Sequence, residues 1–178
     1  MPDRHSYLPV PLDGFHPAVG AALWRLEDAR ERTVDLIDRI PDGAVDWLPS
    51  WGENTIGTLL YHVAVIELDW LYTEILEQDP PSEFMKLFPE DARTDGGRLT
   101  PVRGQTFDAH LARLHAVRAR FLYSLRDMDA GEFRRVRVLD DYDVTPEWVI
   151  HHLCQHEGEH RGQIGEIAAA GGFLDQAR

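Results

Sequence analysis

The sequence is poor in cysteine and in basic residues. Its 178 residues include one cysteine, Cys154, which excludes an internal disulfide and is typical of a reducing compartment. The 18 lysines and arginines are outnumbered by 31 acidic residues, which gives a formal net charge of −13. This balance disfavours a nucleic-acid partner, because binding DNA or RNA begins with the neutralisation of phosphates. The surplus of acidic groups otherwise predicts only solubility.

Long apolar runs are also missing. No stretch approaches the roughly 20 apolar residues that a membrane-spanning helix needs. Residues 1–17 contain no apolar segment of the kind found in secretory signals, so we expect a cytoplasmic protein. Hydrophobic residues make up 43% and charged residues 28% of the chain, which is ordinary for a globular protein. With no repeat and no linker, residues 1–178 are predicted to form a single domain.

Four stretches do carry the apolar period of an amphipathic helix. They cover roughly residues 17–40, 55–76, 106–125 and 145–172. Thr55 and Thr145 are suited to cap the second and fourth helices, and a loop over residues 78–105 separates the second from the third. Residues 134–143 are the one candidate for a short extended segment. The pattern predicts an all-α fold, a four-helix bundle.

The fourth helix carries His152, His156 and His160 at a spacing of four residues, which stacks them on one side of the helix. His156 and His160 fall in the middle of its core-facing arc, whereas His152 lies towards the edge. Hydrogen-bonded core histidines are the plain alternative, but a chance triplet at this spacing is expected in only about one such chain in fifty. Two inward imidazoles one turn apart form half of a metal site, and another helix must complete it.

The apolar periodicity leaves the third ligand open. His62 flanks the apolar stripe of the second helix, and His110 and His115 flank that of the third helix about as closely. Cys154 is turned more than about 100° away from His156 on the helical wheel, so we expect it to pack rather than to bind metal.

The segment Asn54-Thr-Ile-Gly-Thr-Leu-Leu-Tyr-His62-Val-Ala and the motif His152-x3-His156-x3-His160-Arg-Gly-Gln163, with a Trp47-Leu-Pro loop, resemble the DinB/YfiT-like superfamily. The resemblance covers most of the chain. It implies a four-helix bundle with one long crossover connection and a metal site made by a histidine of the second helix and the paired histidines of the fourth. Carried over by position, the ligands are His62, His156 and His160.

The resemblance also suggests a function. Relatives of known activity are thiol transferases and isomerases that use low-molecular-weight thiols such as bacillithiol or mycothiol. We therefore expect one divalent transition metal per chain, zinc first and nickel or iron next, with a position open to ligands. The activity implied is transfer of such a thiol to a small electrophile. A non-catalytic metal-binding stress-response module and a metal-dependent hydrolase are the alternatives, and family analogy implies a homodimer.

Neighbours of the ligands have expected roles as well. Gln163 and His152 share the side of the helix that carries the ligands and are candidates to orient them. Glu157 and Glu159 are expected to be solvated, and no catalytic residue is assigned. A pocket lined by residues 47–51 and the third helix would favour an enzyme over a binding module.

Overall fold

The computed structural model describes residues 8–174 and is mostly helical. The elements are α1 (Pro17–Ile37), α2 (Ile56–Trp70), α3 (Ser82–Met85), α4 (Phe107–Leu125), α5 (Ala130–Phe133), β1 (Arg137–Val138), β2 (Asp143–Val144) and α6 (Pro146–Ala170). A 3-10 turn at Asp42–Ala44 precedes α2, and a π-helical turn at Leu71–Ile75 extends it. Residues 1–7, which carry part of the expectation about a secretory signal, lie outside the described residues.

Side-chain caps fix where the long helices begin. The hydroxyl groups of Thr55, Thr106 and Thr145 each accept a hydrogen bond from the backbone N–H three residues later, which satisfies one of the free donors of the first turn. The predicted caps at Thr55 and Thr145 are confirmed. The first helix ends at Ile37 instead of residue 40, because the chain turns before Pro41 and the N–H of Ile40 bonds back to Ile37.

The four long helices form a bundle in which α1 packs against α4 and α6, and α2 packs against the same two helices. Helices α1 and α2 are therefore diagonal partners, and the predicted four-helix bundle is confirmed. The long connection, residues 76–106, joins α2 to α4 and contains α3. Within the predicted extended segment, β1 pairs with β2 in antiparallel fashion. None of the described helices is long and apolar enough to cross a membrane.

The centre of the bundle is apolar and is filled from all four long helices. Its fully buried members include Leu23, Leu26, Leu59, Leu60, Leu114, Val117, Phe121, Val149 and Ile164. The helices are therefore held mainly by burial of the apolar stripes that the sequence displays.

An ion-pair network also crosses this core, with one buried residue from each long helix: Arg30, Glu67, Arg118 and Glu157. The partly exposed Glu27 of α1 joins it, 2.6 Å from Arg118. Arg30 lies 2.6 Å from Glu67 and 2.8 Å from Glu157, and Arg118 lies 2.7 Å from Glu67. Burial alone would raise the pKa of Glu67, but Arg118 and Arg30 together outweigh it and the pKa is lowered. The expectation that Glu157 is solvated is wrong, since it is buried in this network, whereas Glu159 is exposed.

Candidate metal centre

Two helices bring three histidines together. His62 lies in the middle of α2 and is only 1% exposed, because α2 is buried over most of its surface. His156 and His160 lie one turn apart on α6, the helix that packs against α2. A spacing of four residues points both side chains the same way, so the two imidazoles face the ring of His62.

The three rings converge through their Nε2 atoms. The Nε2 of His156 lies 3.2 Å from that of His62 and 3.1 Å from that of His160. Nitrogen ligands at the usual zinc distance stand about 3.3 Å apart around a tetrahedral ion. The observed separations therefore fit three ligands of a single metal ion, and His62, His156 and His160 form the one group of this kind among the described residues.

Burial keeps these imidazoles neutral. It lowers the pKa of His62 to about 4, with the charges of His160 and Arg93 acting in the same direction. Burial, then His160 and His62, lower the pKa of His156 to about 3. Burial also lowers the pKa of His160. At neutral pH the site consequently offers unprotonated nitrogens, the form in which histidine binds metals.

Hydrogen bonding within the protein does not satisfy the cluster. The Nε2 of His156 faces two other Nε2 atoms but carries at most one proton, so it can donate to only one of them. The Nδ1 of His62 is buried and forms no hydrogen bond of good geometry, although a backbone contact with Ala92 acts to raise the pKa of the ring. A metal ion would engage all three Nε2 lone pairs at once, so this set of nitrogen donors fits a metal ion.

Gln163 contacts the cluster directly, as the sequence suggested. Its Oε1 lies 3.0 Å from the Nδ1 of His160. With the proton on Nδ1, His160 donates to Gln163 and keeps the Nε2 lone pair free for a metal. His152 behaves differently: its ring packs 4.4 Å from Trp70 and 5.2 Å from Trp148, and it lies 6.0 Å from the ring of His156.

The rival histidines of α4 lie elsewhere. His110 is buried, with its Nδ1 3.1 Å from Arg113, and His115 is exposed. Neither belongs to the cluster, and of the three candidates that periodicity left open it is His62 that lies beside His156 and His160. Cys154 is half-buried against the core, where burial raises the pKa of its thiol to about 11.

A cavity of about 220 Å³ lies against Gln163, although none of the three clustered histidines lines it. It is lined by Trp51, Asn54 and Leu59 from the start of α2 and the loop before it, and by Gln163 and Ile167 from α6. Of the lining that would favour an enzyme, the cavity has Trp51 from residues 47–51 and no residue of the third long helix.

Sequence reasoning missed Arg93, which comes from the long connection. Its positive charge acts on the pKa of His62, His156 and His160 alike, so it lies near all three rings. Nothing in the sequence could locate it, because a loop residue has no periodicity that places it against a helix.

Four helices with three histidines converging from two of them form a bundle whose donor set fits a metal ion. The sequence model of the DinB superfamily matches residues 25–164, and the chain belongs to that superfamily. Among solved structures, YfiT from Bacillus subtilis, described as a probable metal-dependent hydrolase with an unusual four-helix bundle topology, is similar with a TM-score of 0.57. The two share 15% sequence identity over 95% of this chain and 94% of that one, a likeness of fold. No curated protein matches the sequence.

Proposed function

We propose that this protein holds one divalent transition metal with His62, His156 and His160 and uses it to activate a low-molecular-weight thiol for transfer to a small electrophile. The observation that carries the proposal is the convergence of three neutral imidazoles, with the Nε2 of His156 3.2 Å from that of His62 and 3.1 Å from that of His160. Zinc is the first candidate, with nickel and iron next, because imidazole suits all three.

A divalent metal with three protein ligands keeps a position open and lowers the pKa of a water or thiol bound there. The chain's own residues have supporting tasks. The three imidazoles supply neutral ligands, and Gln163 fixes the tautomer of His160. The protein supplies no nucleophile of its own at this site, since Cys154 lies outside the cluster and its thiol pKa is raised to about 11.

A hydrolase is the second candidate, favoured by the likeness to YfiT and its description. A metal held by three histidines would lower the pKa of bound water as well, and a general base beside the metal would assist its attack. The cluster contains no carboxylate, and Glu157, which follows His156 in the chain, is held by Arg30 and Arg118. A thiol needs less help to form its reactive anion, and for this reason we favour the transferase.

The test compares the melting temperatures of metal-free and metal-loaded protein in the presence of a thiol and of its hydroxyl analogue. Protein stripped of metal and reloaded with zinc, nickel or iron is melted with N-acetylcysteine and with N-acetylserine, which differ only in sulfur and oxygen. We expect N-acetylcysteine to raise the melting temperature of loaded protein only, and His156→Ala to abolish the effect. Equal shifts with both compounds, or with metal-free protein, would contradict thiol binding at the metal. Turnover of an ester panel without any thiol would favour the hydrolase.

Homodimerisation and a cytoplasmic location are further proposals. The first rests on the family and on apolar surface such as Trp24, which α1 leaves only partly covered. Sedimentation equilibrium at tens of micromolar, about the range where a stable dimer stays associated, should give twice the chain mass. A monomer at that concentration would count against the dimer.

A further inference from the structure

A second cavity, of about 480 Å³, lies where the last residue of α2 meets the β1–β2 pair and the first turn of α6. Its walls include Trp70, Val136, Tyr142, Asp143 and Trp148. None of the three clustered histidines lines it. The ring of His152 packs against Trp70 and Trp148, and so lies between these tryptophans and the ring of His156. The cavity is therefore a feature separate from the metal centre.

Aromatic rings dominate this cavity. The ring of Trp70 lies 5.7 Å from that of Trp148 and 6.4 Å from that of Tyr142. Trp148 and Tyr142 are 48% and 45% exposed, unusually high values for such large side chains. A volume of this order holds a small organic molecule, and partly exposed aromatic rings around a concave site are typical of ligand binding.

The charge around the cavity has one sign. Among the described residues that line it, Asp143 is the only charged one. The neighbouring arginines of the hairpin, Arg135 and Arg137, direct their guanidinium groups to Glu77, Glu132 and backbone carbonyls instead. An anionic ligand would meet no available cation in these walls, whereas a cation would meet a carboxylate.

A buried carboxyl group adjoins the same wall. Glu74, in the π-helical turn, is 3% exposed, and its Oε1 accepts a hydrogen bond of 2.8 Å from the Tyr142 hydroxyl. Its Oε2 is buried without a hydrogen-bond partner, and within residues 8–174 Glu74 forms no ion pair with an arginine or lysine. Burial raises the pKa of Glu74, the Tyr142 hydroxyl opposes this, and Asp69 adds to it. The group is short of positive charge, as expected beside a site for a cation.

We propose that this cavity binds a small organic cation with an apolar body, such as a substituted or quaternary ammonium compound. The faces of Trp70, Trp148 and Tyr142 attract a cation through their quadrupoles and also cover its methyl or methylene groups. Asp143 at the rim supplies the negative charge, and Glu74 beyond Tyr142 is a carboxyl group that a bound cation would help to ionise. The proposal does not depend on the metal centre, and it holds whether or not the histidines bind metal.

The test compares choline with 3,3-dimethylbutan-1-ol, which replaces the charged nitrogen by carbon in nearly the same shape. Binding to the full chain is followed by ligand-observed NMR titration, which suits weak ligands. We expect choline to bind with a dissociation constant about 10-fold lower than that of the neutral alcohol, the size of a cation–π preference. Equal affinities, or no saturable binding of choline, would overturn the proposal.

Two exposed variants locate the binding. Trp148→Leu and Asp143→Asn should each weaken choline several-fold, and Asp143→Asn should leave the neutral alcohol unchanged. The matched controls are Trp51→Leu, another exposed tryptophan, and Asp95→Asn, an exposed acid of the long connection. Both controls should bind choline like the unaltered protein. Choline binding that survives Trp148→Leu unchanged, or that is lost equally in the controls, would show that this cavity is not the site.

Discussion

Helix α6 contributes to two buried polar clusters, the ion-pair network and the histidine cluster, through the adjacent residues Glu157 and His156. Glu157 belongs to the ion-pair network with Arg30, Glu67 and Arg118, whereas His156 belongs to the histidine cluster. In the network two positive and two negative groups alternate at hydrogen-bonding distance. In the cluster three like groups face one another through the same atom.

The difference indicates what each cluster is for. A buried network of opposite charges satisfies itself, and by drawing one residue from each long helix it favours a single register of the bundle. Three neutral imidazoles cannot all donate to one another, so Nε2 lone pairs in the cluster remain available to an added ligand. The network therefore serves the fold, and the cluster serves the function that we propose.

The largest expected effect comes from breaking the network. Glu67→Gln removes the carboxylate that both buried guanidinium groups share, leaving Arg30 with Glu157 alone and Arg118 with Glu157 and the partly exposed Glu27, and should lower the free energy of unfolding by about 3–5 kcal/mol. Metal content should stay close to that of the unaltered protein if the variant is folded. Urea denaturation measures the loss, and Asp28→Asn, which removes an exposed pair with Arg32, should cost less than about 1 kcal/mol. A Glu67→Gln variant as stable as the Asp28→Asn control would contradict the role of the network.

The second-largest expected effect is the loss of stability at acidic pH, which should come from the histidine cluster. The pKa values of His62 and His156 are about 4 and about 3 in the folded chain, against about 6.5 when unfolded. Between these values the unfolded state binds more protons, so metal-free protein should lose about 2 kcal/mol of stability for each of the two groups, roughly 4 kcal/mol together, from pH 7.5 to pH 5. The double variant His62→Ala, His156→Ala should show a shallower dependence, with His110, whose pKa is also about 4, accounting for part of the remainder. Equal slopes in both proteins would argue against this assignment.

A smaller effect is expected from the residue that orients His160. Gln163→Leu removes the acceptor at Nδ1, and metal affinity should fall about 10–100-fold while the site survives. Competition with a chelator measures it, and Glu166→Gln, a neighbour in the same cavity wall, is the control. His152→Ala should reduce affinity less, because its ring packs on Trp70 and forms no hydrogen bond with the described ligands. A larger loss from His152→Ala than from Gln163→Leu would reverse these roles.

The smallest expected change in stability comes from substituting His156, and it should be opposite in sign to the change at its neighbour Glu157. In metal-free protein, His156→Leu replaces an imidazole without a complementary partner by an apolar group, and should raise the free energy of unfolding by about 1 kcal/mol. Glu157→Leu, one residue further, should lower it, because two arginines lose a partner. Thermal denaturation in the presence of a chelator compares the two. If both changes destabilise the chain equally, the cluster contributes to the fold as much as the network does.

The sequence predicted what periodicity and capping govern. Thr55 and Thr145 start their helices as expected, and the faces of α2 and α6 present His62, His156 and His160 to one another. Periodicity alone did not choose between His62 and the histidines of α4, because that choice depends on which helices pack together. The family resemblance favoured His62, and the packing of α2 against α6 brings it to the paired histidines.

Other features were beyond sequence reasoning for a physical reason. Glu157 reads as a solvated residue until Arg30 and Arg118, far away in the chain, are known to pack against it. Arg93 and Tyr142 come from irregular segments, where no repeating geometry links position in the chain to position in space. Long-range pairing of charged groups and loop placement are therefore the parts that only the folded structure supplies.

The most direct test of the metal centre is the metal content of purified chains, measured by elemental analysis at neutral pH. We predict about one zinc, nickel or iron per chain in the unaltered protein, since three neutral imidazoles complete a single site. His62→Ala, His156→Ala and His160→Ala should each lose it, whereas His110→Ala and His115→Ala should retain it. Full metal in His62→Ala together with loss in His110→Ala or His115→Ala would contradict the three-histidine assignment and the function built on it.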